Sequence, residues 1–185
     1  MLDKISLTLC HSKCSKSIIL FIVIISVLGL LTYLGFNVIS KTKEKNKIAK
    51  QLETIPEFEF LTLEQKPFTK ANLKPNTNTS FIYFNSECDF CQHEAQSISD
   101  NLESFKNVQF IFVSTEPIEI IKQFAEQYNL NNQPNITFLY DNLDTFSSRF
   151  DANSIPYILI YNKNQKLIKK HKGQLNAKGI LRALQ

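Results

Sequence analysis

At 185 residues the chain is long enough for one ordinary domain with a short appendage, and too short for two full cores. Hydrophobic content of 43% and charged content of 21% are near the average for a folded domain, although part of the apolar share is gathered close to the N-terminus. The net charge of +4 arises from lysines bunched at Lys41, Lys43, Lys45, Lys47 and Lys50 and again at Lys166, Lys169, Lys170 and Lys172; without interleaved aromatics such runs read as solvated faces, which excludes nucleic acid as an expected partner.

Taken in chain order, 1–16 is a short basic flank, and the 24 residues from Ser17 to Ser40 carry no charged side chain. As a helix rising about 1.5 Å per residue they would span roughly 36 Å, more than the roughly 30 Å hydrocarbon core of a bilayer. A cleavable signal peptide has a similar outline, but this run is long and Leu30-Leu31-Thr32-Tyr33-Leu34-Gly35-Phe36 offers no small-residue cleavage site. An uncleaved single-pass membrane anchor over 17–40 is therefore expected. Lipid attachment at Cys10 or Cys14 is not, because both precede the apolar run. Three lysines before the span and five after it favour a cytoplasmic domain by the positive-inside rule. A single N-terminal span ahead of a globular domain is more often a signal anchor that exports it, and a domain outside the cytoplasm is the expectation taken here.

Residues 41–56 are polar and read as a stalk, leaving 57–185 as the folded domain. Phe58–Leu63 alternates with a period near two and Pro67–Thr69 follows a polar turn, predicting paired strands. Ser80–Asn85 is an apolar run of the kind buried on both faces of a sheet. From Cys91 the apolar positions Ala95, Ile98, Leu102 and Phe105 recur at four, three, four and three, which predicts one amphipathic helix. Val108–Val113 is a second buried strand, and Ser114-Thr115-Glu116-Pro117 offers a hydroxyl cap and an early proline to a helix with its stripe on Ile118, Ile121, Ala125 and Tyr128. A strand over Asn135–Tyr140 and a helical turn over Asp144–Phe150 come next. Tyr157–Tyr161 and Lys166–Lys170 read as a hairpin about Asn162-Lys163-Asn164-Gln165, and a helix over Ala177–Leu184 ends the chain. This order implies an α/β domain with a central mixed sheet flanked by helices.

Of the four cysteines, only Cys88 and Cys91 have a supporting context, a C-x-x-C where a central strand becomes a helix. A sulfur at a helix N-terminus faces unpaired N–H groups and the positive end of the helix dipole, which favours thiolate and makes Cys88 a candidate nucleophile. One turn later, Cys91 is placed to resolve a mixed disulfide between Cys88 and a substrate sulfur. The carboxylates of Glu87 and Asp89 oppose the thiolate, so a reducing or near-neutral couple is expected. Zinc is disfavoured for want of a second ligand pair. A copper chaperone would need Cys88, Cys91 and a histidine, and His93 is too near while the fold would have to bring His171 in. Cys10 and Cys14 read as bystanders.

The segment Phe81-Ile82-Tyr83-Phe84-Asn85-Ser86-Glu87-Cys88-Asp89-Phe90-Cys91-Gln92-His93-Glu94, followed later by Ser154-Ile155-Pro156-Tyr157-Ile158-Leu159-Ile160, resembles the membrane-anchored thioredoxin-like proteins of the TlpA and ResA type, which overlap the redoxins. The likeness covers about Phe58 to Leu184. It implies a thioredoxin-like fold and a thiol–disulfide oxidoreductase in the cell envelope, needing no dissociable cofactor. Pro156 would be a cis proline facing the cysteines, with the Ile155 backbone pairing an extended substrate, and Glu94 would move protons at the buried thiol. Clients would be protein disulfides or thiols, and electrons would come from an upstream dithiol donor. Two departures stand out: Glu87 replaces the usual tryptophan before the first cysteine, and Phe90 the frequent proline between the pair. A peroxidase, the other redoxin option, needs threonine or serine where Asn85 stands.

Overall fold

The computed structural model describes the backbone from Asp3 and the side chains from Ile24 onward, Glu44 excepted. The side chains of Cys10 and Cys14, and of residues 17–23 of the expected anchor, lie outside the described residues. The chain divides into two units, Met1–Ile48 and Ala49–Gln185.

The described residues of the first unit belong to helix α1 (Asp3–Leu52). Its large apolar side chains from Ile24 to Ile39 are exposed, among them Leu28, Leu31 and Phe36. A helix apolar all round has no core face of its own and is at ease in lipid. Among the described residues it is the one helix long and apolar enough to cross a membrane, and it is a candidate span.

The second unit is a thioredoxin-like domain around a seven-stranded mixed sheet of order β2-β1-β5-β4-β3-β6-β7. Its strands are β1 (Glu59–Thr62), β2 (Pro67–Thr69), β3 (Asn78–Tyr83), β4 (Val108–Ser114), β5 (Ile136–Tyr140), β6 (Tyr157–Tyr161) and β7 (Leu167–Lys172). Strands β3, β4 and β5 run parallel, while β1, β6 and β7 are antiparallel to their neighbours β5, β3 and β6. The continuous apolar runs sit at the centre: every residue of β4 and of β6 is buried. The lysine-rich β7 forms one edge, where charge discourages further pairing.

One sheet face carries Ile82, Phe84, Phe110, Phe112, Phe138, Ile158 and Ile160. Against it pack α2 (Asp89–Ser99), α3 (Ile118–Gln127) and α5 (Ala177–Ala183) through Cys91, Ala95, Ile98, Ile121, Phe124, Ala125, Ala177 and Ile180. The opposite face is aromatic. Phe81 meets Phe58 edge-on at 5.5 Å, Phe150 at 5.0 Å and Tyr161 edge-on at 6.0 Å, and Phe146 stacks on Phe150 at 4.4 Å across the short helix α4 (Phe146–Arg149). Such pairs add to stability beyond the area they bury.

Four expectations are corrected. The helix after the cysteines stops at Ser99: Asn101 turns its side chain back to the Ser97 carbonyl at 2.8 Å, and Leu102–Phe105 continues as a 3-10 turn. Phe105 still reaches the same core, so the apolar spacing survives the break. Helix α3 begins after Pro117 with no hydroxyl cap, because Ser114 Oγ is engaged with Glu116. The domain also packs earlier than 57: Leu52 and Ile55 are buried, and the Leu167 amide donates to the Glu53 carbonyl at 3.0 Å. The Lys166–Lys170 strand runs slightly later, at Leu167–Lys172, after a turn closed by the Asn162 side chain on the Asn164 and Lys166 amides.

Candidate active site

The parallel strands β3, β4 and β5 end on one rim of the sheet, and the C-x-x-C begins there. Asn85 starts the turn out of β3: its side-chain oxygen accepts the Glu87 amide at 2.9 Å and its carbonyl the Cys88 amide at 3.3 Å. Cys88 is the N-cap residue of α2, with extended backbone, and its carbonyl accepts the Cys91 and Gln92 amides at 2.9 and 3.0 Å. Its sulfur therefore lies at the end of the helix where N–H groups lack intrahelical partners. Both cysteines are free thiols, Cys88 partly exposed and Cys91 buried.

The loop before β6 brings in the other residues singled out from sequence. The Ile155–Pro156 peptide bond is cis, and the Cys88 thiol points at the Ile155 carbonyl across 3.9 Å. Ile155, whose carbonyl faces the thiol, is 41% exposed, and Phe90, between the cysteines, is 61% exposed, so both motifs that carry the site present an apolar side chain to solvent. The cysteine pair and the Ile-Pro loop, 67 residues apart from Cys88 to Ile155, thus meet in one place.

Glu94 lies on the inner face of α2 and is fully buried. Neither carboxylate oxygen has a regular hydrogen-bond partner. Burial holds its carboxyl well above the ordinary glutamate range; the Leu175 backbone offsets part of this, and charge on Cys88 pushes it further up. Burial also pushes the Cys91 thiol up, aided by its hydrogen bond to Cys88 and by negative charge on Cys88 and Glu94, while the Asn85 backbone pulls it down. Two groups reluctant to ionise thus share the interior behind the exposed thiol.

A residue that sequence reading assigned only to a helix start takes a different place. Glu116, in the β4–α3 connection, accepts the Ser86 amide and hydroxyl at 2.7 and 2.6 Å. Its sole sequence signal was an acidic side chain beyond the end of a buried strand. His93 is exposed and the His171 ring nitrogen lies 3.1 Å from the Gln174 carbonyl. Among the described residues no group of three or more His, Cys, Asp or Glu is arranged to hold a metal.

No curated protein sequence matches the chain. Solved structures match it in fold. A secreted Mycobacterium tuberculosis disulfide oxidoreductase homologous to E. coli DsbE is 22% identical, with a TM-score of 0.58 over 72% of this chain and 96% of that one. The M. tuberculosis dsbF structure is 19% identical, with a TM-score of 0.60 over 72% and 93%. StoA from Bacillus subtilis is 14% identical, with a TM-score of 0.56 over 71% and 98%. The model of the AhpC/TSA family matches residues 52–174, nearly the whole folded domain, and the chain belongs to that redoxin family of oxidoreductases.

Proposed function

We propose that the protein exchanges a Cys88–Cys91 disulfide with protein thiols, working in the reducing direction in the cell envelope and tethered through 17–40. The observation that carries this reading is the Cys88 thiol at a helix N-terminus, 3.9 Å from the Ile155 carbonyl, with Cys91 buried one turn behind it. An extended client segment would lie along the Ile155-Pro156 backbone. Cys88 thiolate then attacks one sulfur of the client disulfide; the Cys88–client bond forms as the S–S bond breaks, and the other client sulfur leaves as thiolate and takes a proton from solvent. Glu94, once it has lost its own proton to solvent, takes the proton of Cys91, which attacks Cys88 and releases the second client thiolate to be protonated in its turn. The client gains two electrons, and the protein is left with a Cys88–Cys91 disulfide. Because burial makes the Glu94 carboxylate a stronger base, it is better matched to a thiol that is itself raised.

An upstream dithiol donor restores the pair. The disulfide oxidoreductase named among the structural neighbours supports the same chemistry. A peroxidase reading is disfavoured, since Asn85 stands where such a site needs a hydroxyl, and its side-chain oxygen is used in the turn. The test is insulin reduction by the full-length chain in detergent, beside Cys88→Ser and Cys91→Ser versions. Loss in both, with Cys91→Ser alone accumulating mixed disulfides, is expected. Undiminished reduction by Cys88→Ser would refute the assignment.

A further inference from the structure

The stretch Asn85–Glu87 carries the chain from β3 into α2 without regular structure, so its polar groups must be held from elsewhere or by water. Ser86 is held on three sides. Glu116 Oε2 accepts its amide at 2.7 Å, Glu116 Oε1 accepts its hydroxyl at 2.6 Å, and its carbonyl accepts Gln92 Nε2 from α2 at 2.8 Å. The carboxylate is itself fixed from behind, since Ser114 Oγ donates to Oε2 and accepts the Glu116 amide, both at 3.2 Å. The end of β4 thereby clamps the residue two positions ahead of the exposed thiol.

We infer that Glu116 is a positioning residue for Cys88, setting where its sulfur stands relative to the Ile155 carbonyl and to Cys91; this inference rests on the thiol–disulfide reading above. The arrangement is more than local packing. Glu116 and Ser86 are only partly buried, so water can replace the lost bonds when the clamp is removed, and folding tolerates the change. Catalytic geometry does not, because exchange requires three sulfurs nearly in line, and a displacement of about 1 Å can cost up to roughly a hundredfold in rate. Stability and turnover therefore separate.

The geometry also selects the informative variants. In Glu116→Ala both bonds to Ser86 vanish. In Glu116→Gln the amide oxygen still accepts the Ser86 amide, while the new NH2 donates to the Ser86 hydroxyl, so shape is kept and charge is lost.

The experiment measures kcat and KM for a disulfide-containing peptide, together with Tm, on the full-length chain in detergent. For Glu116→Ala the expected result is a kcat lowered about tenfold with KM within about twofold. Its Tm should fall by less than about 5 °C. Glu116→Gln should recover kcat to within about twofold of the native protein. Wild-type kcat in Glu116→Ala, a loss confined to temperatures near its Tm, or an equal loss in Glu116→Gln would overturn the role. A Cys88→Ser control separates the two claims: if that variant is inactive while Glu116→Ala is not, only the positioning role fails; if it stays active, the thiol reading falls and the positioning role with it.

Discussion

Replacing Glu94 with methionine should make the protein more stable and less active. The side chain is fully buried and neither of its oxygens has a regular partner. A buried polar group without a hydrogen bond costs about 1–3 kcal/mol, and methionine keeps the unbranched shape without the polar end. For a domain of this size each kcal/mol moves Tm by about 3–5 °C, so Glu94→Met should raise Tm by at least about 3 °C. The same substitution removes the carboxyl that the proposed mechanism uses to take the Cys91 proton. General acid–base assistance is typically worth about 10²–10⁴-fold, and a fall of about a hundredfold in insulin reduction at pH 7 is expected, recovering as pH rises and solvent takes over deprotonation. Circular dichroism melts and the insulin assay, run on the same preparation, decide the matter. A lower Tm would refute the claim that burying the carboxyl costs more than the Leu175 backbone returns, and wild-type turnover would refute the relay.

Three further outcomes follow from the geometry. Because the folded protein holds Glu94 well above its ordinary value near 4.5, the unfolded chain ionises first as pH rises; stability from this residue is fully present below that value and is lost on the way up towards the folded one. The Tm advantage of Glu94→Gln over the native chain should accordingly be larger at pH 8 than at pH 5. Phe81→Ala, at the centre of the aromatic face, should cost about 3–5 kcal/mol in urea titrations while leaving the thiols reactive in whatever fraction is folded. Asp141 is buried and accepts the Thr145 and Phe146 amides at 3.0 and 2.7 Å, so Asp141→Ala should cost about 1–3 kcal/mol by the same titration, with Asp141→Asn recovering part of it.

The features legible in the sequence were those written locally. A strand, a C-x-x-C and a helix occupy consecutive residues, and Ile155-Pro156 is a dipeptide, so each could be read on the page before the fold joined them. Burial of Glu94 was not read: its place three residues after Cys91 and four before Ile98 puts it beside the apolar stripe, but a helix glutamate is ordinarily exposed, and only the packed fold shows it inside. The Glu116 clamp was not, because Ser86 lies 30 residues away and only the parallel pairing of β3 with β4 brings the two loops together. Local competition explains the early end of α2, where the Asn101 side chain takes a carbonyl that helical spacing alone cannot reveal. Averaging hid the start of the domain: Leu52 and Ile55 are isolated apolar residues in a polar stretch, yet both are core.

The two rims of the sheet have a consequence for how clients are met. One rim, β7, presents Lys169 and Lys172 to solvent, and the other, β2, opens on Pro67, which has no N–H to offer. A loose polypeptide finds neither border hospitable as a template. In the proposed reaction the backbone beside Ile155 is the remaining berth for an extended guest, and recruitment and electron transfer would then share one location.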